Sequence, residues 1–207
     1  MKLRGFQGSM PAASAAPFTP PLVAVAASAG GIPALCELLH ALPATFPGAV
    51  LVVLHLEPHR VSRLAHVLGR SSSLPVSQAA NGQRPEAGHV YVAAPDHHLV
   101  VEPDGRLGLT DTPPEHHTRP SADPLFASLA AHSGARAVAV VLSGMGMDGS
   151  RGVELVARGG GTVLAQDAAT AEHYGMPRAA IATGGVTHVL SPGDMAPLLA
   201  TLVTAAS

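Results

Sequence analysis

Residues 49–56 read Ala-Val-Leu-Val-Val-Leu-His-Leu, and this run limits the fold more than any other feature of the chain. It shows no alternation of polar and apolar residues, so neither face of a strand built from it can lie against water. It is also far short of the ~20 apolar residues of a membrane span. Such a strand needs cover on both faces, which is the situation of an inner strand in a parallel sheet. A similar run, Leu22 to Ala27, is followed by Gly30, Gly31 and Pro33, and then by Leu35, Leu38, Leu39 and Leu42 at helical spacing. The unit reads as strand, tight turn and helix.

The same alternation continues along the chain. After Pro58 a helical pattern over residues 60–69 turns Val61, Leu64, Val67 and Leu68 inward and leaves Arg60, Arg63 and Arg70 in water. A short strand is expected near Val76. His89 to Ala93, Leu99 to Glu102 and Leu107 to Thr110 are separated by the turns Pro95-Asp96 and Pro103-Asp104-Gly105, a pattern of antiparallel hairpins at one sheet edge. Residues 111–121 form a polar, proline-rich loop, and a helix follows Asp123 through Leu125, Phe126 and Leu129. Strands over 137–142, 161–166 and 187–190 then alternate with helices over 149–158, near 177–183 and at the C-terminus. The fold class expected is α/β, with a doubly wound, mostly parallel sheet flanked by helices and an antiparallel hairpin at one edge.

Composition narrows the classes of function. The 207 residues are 47% hydrophobic and 13% charged, enough to bury one core of ordinary size. Residues 1–20, rich in Ala, Pro and Ser without a period, read as a flexible leader, and 21–207 as the folded domain. Net charge is -2, Trp is absent and the basic residues form no stripe, so a nucleic-acid partner is not expected. The single cysteine, Cys36, fits a reducing, cytoplasmic setting. Pro11, Pro17, Pro20 and Pro21 interrupt the stretch after Lys2 and Arg4 that would otherwise suggest a signal peptide, and no membrane insertion is expected.

In a doubly wound sheet, ligands bind at the carboxyl ends of the strands, where the strand order reverses. Ser28 ends the first strand, His55 lies at the end of the second, and Asp148 follows the strand that stops at Leu142. A serine hydroxyl is a weak nucleophile until an imidazole removes its proton, and a carboxylate holds that imidazole in one tautomer. The small residues Ala26, Ala29, Gly30 and Gly31 around Ser28 suit a sharp turn that exposes the hydroxyl. The helix that follows aims N–H groups at a developing oxyanion, and Gly144-Met145-Gly146 offers a further amide. Spacing alone leaves other roles open: Ser28 as a helix cap, His55 as a core histidine, and Asp148 as a cap of its own helix.

Two further patterns compete. Gly144 to Gly149 fits the G-x-G-x-x-G of a dinucleotide site, with Asp167 at the end of the next strand, although such sites use the first turn of the sheet. The 12 histidines include the pairs His55/His59, His97/His98 and His116/His117, but Pro58 breaks the first pair's helix and the others fall on turns and a polar loop, so no metal is expected.

The segments VAVAASAGGIPAL, VVLHLEPH, GHVYVAAPDHHLVV, RPSADPLFASL, LSGMGMDGSRG and AQDAATAEHYGMPRAA occur in the order seen in the catalytic domain of the chemotaxis protein-glutamate methylesterase (CheB-type) family, which the chain resembles from about residue 21 to 200. The resemblance implies Ser28 as nucleophile, His55 as base, Asp148 as its orienting partner, the backbone amide of Met145 together with Ala29 at the oxyanion hole, and Gly30, Gly31, Gly144 and Gly146 as supporting loop residues. It implies hydrolysis of glutamate γ-methyl esters on the cytoplasmic helices of a methyl-accepting chemoreceptor or a related methylated signalling protein. Methanol is the product, some members also deamidate receptor glutamines, and no cofactor is involved. Ala29 stands where threonine is often found in the family, and Leu56 to Arg60 differs from the commoner methionine-proline sequence. Family members usually carry an N-terminal receiver domain that residues 1–20 are too short to hold, so the expectation is a stand-alone form with a separate regulator, or a piece of a longer protein. A regulatory binding module that kept this fold without turnover is the alternative from a different class. Arg60 and Arg63 are candidates for attracting an acidic receptor helix.

Overall fold

The computed structural model describes residues 19–55 and 63–205. Strand β1 (Leu22–Ala27) leads into helix α1 (Gly31–Ala41), and β2 (Ala49–Leu54) precedes α2 (Leu64–Gly69). Strands β3 (Val76–Gln78), β4 (His89–Val92), β5 (His98–Val101) and β6 (Leu107–Thr110) follow in turn. Helix α3 (Ala122–Ser133) precedes β7 (Val138–Val141), α4 (Ser150–Arg158), β8 (Thr162–Gln166), α5 (Gly175–Ala182), β9 (His188–Leu190) and α6 (Pro192–Ala205). The main sheet is seven-stranded in the order β3-β4-β2-β1-β7-β8-β9. All its neighbours are parallel.

Strands β1 and β2 are buried along their whole length, as their unbroken apolar runs require. Their side chains divide between two layers. Val23, Val25, Ala27, Val50 and Val52 meet Leu35, Leu38 and Leu39 of α1 and Leu199 and Val203 of α6. Ala24, Ala26, Leu51 and Val53 join Phe126 and Leu129 of α3 and Val153 of α4 on the other face. Apolar burial on both faces is the main force holding the sheet between its helices, at roughly 25 cal/mol for each Å² removed from water.

From β1 the chain winds outward through β2 toward β4 and β3, and from β7 it winds the other way through β8 to β9. The order therefore reverses between β1 and β7. The carboxyl ends of these two strands flank the crevice where a doubly wound sheet binds its ligands.

The expected fold class is the observed one, with one change of detail. His89 to Ala93 does not form a hairpin: β4 inserts between β2 and β3 and runs parallel to both. Val90, Tyr91 and Val92 are all buried, so this short run needs cover on both faces, as β2 does. Among the named strands of the described residues, β5 and β6 alone pair antiparallel, in a separate ladder. In α2, Leu64 and Leu68 are buried as expected, whereas Val67 is exposed. The expectations placed on residues 1–18, and on Val61 and Arg60, fall outside the described residues. Among the described residues no helix is long and apolar enough to cross a membrane.

Helices α3 and α4 approach so closely at Gly152 that a Cβ there would overlap Phe126. We expect Gly152→Ala to destabilise the domain by about 1–3 kcal/mol, the usual effect of overpacking a filled core. Urea unfolding measures this, and a variant as stable as the parent would contradict the packing described.

Candidate active site

Ser28 is the first residue beyond β1, and His55 is the first beyond β2. The register pairs Ala27 with Leu54, and the His55 N–H donates to the carbonyl of Ala27 at 3.3 Å. Ser28 and His55 are thus the next residues out on adjacent parallel strands. The Ser28 N–H donates to the carbonyl of Ser143, just past β7, at 2.9 Å. A side chain on Gly144 would come within 3.0 Å of Ser28 Cβ. The ends of β1, β2 and β7 therefore meet at one rim.

Neither helix-cap reading of these residues holds. The cap of α1 is Gly30, with no side-chain cap bond, and the cap of α4 is Gly149, likewise without one. Gly30 takes φ of 69°, and a Cβ there would lie 2.8 Å from Ser143 Oγ, so glycine is what lets the chain leave Ser28 and enter α1. Gly31 closes the turn through its N–H to the Ser28 carbonyl at 2.9 Å. Half-buried Ser28 makes no side-chain bond to the start of α1.

Asp148 reaches across to a different helix. Its Oδ1 accepts the Ser121 hydroxyl at 2.6 Å and the Asp123 N–H at 3.3 Å. Its Oδ2 accepts the Ala122 N–H at 2.7 Å and lies 2.6 Å from Nε2 of His55. Ala122 and Asp123 open α3, so the carboxylate satisfies amides that the helix cannot pair internally and sits at its positive end. The exchange is reciprocal, because Asp123 in the first turn of α3 accepts the Gly152 N–H of α4 at 2.8 Å. The Asp148 side chain is only 2% exposed. Burial alone would raise its pKa, but hydrogen bonds from His55, Ser121 and Ala122 outweigh that and hold the carboxyl below the ordinary range. An ionised carboxylate only accepts, so the bridging proton belongs to His55 Nε2. This leaves the Nδ1 lone pair free to receive a proton.

The loop after β7 is tied on both sides. The N–H of fully buried Ser143 donates to Gln166 Oε1 at 2.7 Å, while its hydroxyl donates to the Ala29 carbonyl at 2.9 Å and accepts the His173 N–H at 3.0 Å. Gly144 bonds to His173 and Met176 through its N–H and carbonyl, at 2.9 and 2.8 Å. Gly146 takes φ of 82°, and Met145 and Met147 lie exposed on either side of it. Among the described residues neither the Met145 N–H nor the Ala29 N–H takes a protein acceptor.

The competing patterns fare differently. The third variable position of the glycine motif, Asp148, carries negative charge into the turn where a pyrophosphate would sit, and Asp167 engages the Thr170 N–H with its carboxylate at 2.8 Å. His116 Nε2 lies 2.9 Å from Asp123 Oδ2, and the ligand atoms of His116, Asp123 and Asp148 fall within 4.8 Å of one another. The N–H and O–H groups of Ser121, Ala122, Asp123 and Gly152 already aim their positive ends at these carboxylates, which opposes a cation there. His98 corrects an expectation, since it is fully buried instead of lying on a wet turn. Its nitrogens are satisfied by the Pro113 carbonyl at 3.2 Å and the Ser121 N–H at 3.1 Å. Arg63 is exposed, while His59 and Arg60 lie outside the described residues. Sequence reasoning missed Ser121, Asp123 and Ser143. The only signal was a small polar residue at each end of a buried element, which is too common to single out.

Residues 23–199 match the family model described as CheB methylesterase. The chain is 43% identical over 178 residues to a protein-glutamate methylesterase/protein-glutamine glutaminase 1 of Bordetella avium (strain 197N), covering 86% of this chain and 52% of that protein. It is 40% identical over 202 residues to protein-glutamate methylesterase/protein-glutamine glutaminase 2 of Cupriavidus metallidurans, covering 96% and 60%. It thus spans about half the length of such relatives. A crystal structure of the Thermotoga maritima CheB methylesterase catalytic domain superposes with a TM-score of 0.85 at 32% identity, covering 89% of this chain and 100% of that one.

Because the folded carboxyl of Asp148 is held below the unfolded value of about 4, its stabilisation is complete above that value and is lost as pH falls through the lower folded one. Asp148→Asn should cost about 2 kcal/mol of unfolding free energy at pH 6, with the gap to the parent narrowing in acid as the folded parent's lowered carboxyl takes up its proton. Urea titrations at a series of pH values test this, and a gap that widens in acid would contradict the assignment.

Proposed function

Starting from the chain's membership of the CheB methylesterase family, we propose that it is a serine hydrolase that removes methyl groups from glutamate γ-esters on the cytoplasmic helices of a methyl-accepting chemoreceptor or a related methylated signalling protein. Methanol is released, and glutamine side chains in the same helices are deamidated with release of ammonia. Residues 21–207 form the catalytic unit. The observation that carries this reading is the 2.6 Å bond between His55 and Asp148, at the strand end beside Ser28.

In this mechanism the Ser28 hydroxyl attacks the γ-carbonyl carbon while His55 Nδ1 takes its proton. Asp148 keeps the ring oriented and stabilises the imidazolium that forms. The N–H groups of Met145 and Ala29 receive the oxyanion, each worth on the order of 3 kcal/mol at the transition state. Collapse of the tetrahedral adduct breaks the bond to the methoxy oxygen, which leaves as methanol with the proton from His55. Water, deprotonated by the same imidazole, then cleaves the acyl-serine and releases glutamate. The Ala29 amide needs no side chain for this role, so alanine where the family often has threonine is compatible with the chemistry. Two rim methionines, Met145 and Met147, offer the approaching helix apolar contact.

Methanol release from methylated receptor tests the reading. Ser28→Ala should reduce the rate by on the order of 10⁴-fold or more while circular dichroism and unfolding stay those of the parent. Full activity in Ser28→Ala would overturn the proposal.

A further inference from the structure

We propose that Ser121 is a positioning residue for the hydrolysis, fixing the Asp148 carboxylate so that His55 stays aligned with Ser28; the inference rests on the esterase reading above. A carboxylate rotates readily about its Cβ–Cγ bond, since that torsion has only broad preferences. Asp148 is held against this rotation at both oxygens. Oδ2 has the Ala122 N–H at 2.7 Å and His55 at 2.6 Å, whereas Oδ1 has, among the described residues, the Ser121 hydroxyl at 2.6 Å and the Asp123 N–H at 3.3 Å. The hydroxyl is therefore the one short restraint on the far oxygen. Without it the carboxylate can turn about its Oδ2 contacts, and the His55 ring turns with it.

Ser121 is itself held from below. It is fully buried, and its N–H donates to Nδ1 of the equally buried His98 at 3.1 Å. Because Nδ1 accepts, the ring proton of His98 lies on Nε2, facing the Pro113 carbonyl at 3.2 Å. The chain of contacts runs from the 111–121 loop through His98 and Ser121 to Asp148 and ends on His55. The buried side chains of His98, Ser121 and Asp148 all find partners along it, which makes the carboxylate's orientation a property of the folded core and not of the open rim.

The test compares Ser121→Ala with Ser128→Ala. Ser128 lies on the same helix and also bridges two elements, accepting the Val101 N–H at 3.0 Å and donating to the Leu125 carbonyl at 2.9 Å. It does not touch Asp148, so its loss reports structural damage alone. For Ser121→Ala, kcat for methanol release should fall by on the order of 10²-fold, as for a catalytic group held slightly out of place, with KM within about twofold. Ser128→Ala should keep kcat. In parallel, the downfield proton resonance of the short His55–Asp148 hydrogen bond should shift or broaden in Ser121→Ala only. Unchanged kcat and resonance in Ser121→Ala, or equal losses in both variants, would overturn the proposal. If the parent protein released no methanol, the esterase reading would fail, while the resonance comparison would still decide whether Ser121 orients the pair.

Discussion

The Asp148 carboxylate is bonded at once to the imidazole at the end of β2 and to the first turn of α3. These contacts join the loop after β7 to elements that lie far away along the chain. Burying a charge in this way is unfavourable unless it is fully paired, and Asp148 meets that condition with a hydroxyl, amides and an imidazole. The return contact from Asp123 to α4 means that each helix start is satisfied by a carboxylate from the other side of the junction. A site assembled this way is rigid because loosening any one member strands a buried polar group.

The sheet supplies the rest. Strands β1 and β2 run parallel and in register, so the residues that follow them emerge side by side at the same rim. The reversal of strand order between β1 and β7 places their carboxyl ends at the crevice where a doubly wound sheet binds its ligands. Burial on both faces fixes the strands so firmly that their ends act as a frame. The turns that leave the frame depend on Gly30, whose backbone conformation and close contact with Ser143 exclude a side chain, and on Ser143, whose bonds tie the Ser28 turn to the loop before α5.

Much of this was legible in the sequence. Unbroken apolar runs marked β1, β2 and β7, their order implied a doubly wound sheet, and the residues at their ends marked Ser28, His55 and Asp148 as candidates. The period of the pattern could not separate β4 from a hairpin strand, because three buried residues next to a turn read alike in either setting. Nor could it reveal that Asp148 serves α3 and not its own helix, since that depends on how two helices meet. His98 looked like a turn residue beside Pro95-Asp96, yet its two nitrogens find partners on the covering loop and on Ser121, which makes its burial affordable. Contacts made between distant segments leave little trace in local composition. The polar residues that organise the site were therefore the hardest to foresee.

The central claim is that Ser28 is an activated nucleophile, made so by His55 under the control of Asp148. A fluorophosphonate probe, which forms a stable adduct only with a base-activated serine, tests this without any knowledge of the receptor. Mass mapping after labelling should find one adduct on the peptide that contains Ser28, formed far more slowly in His55→Ala and in Asp148→Asn. Absence of the adduct, or labelling at an unchanged rate in both variants, would contradict the account.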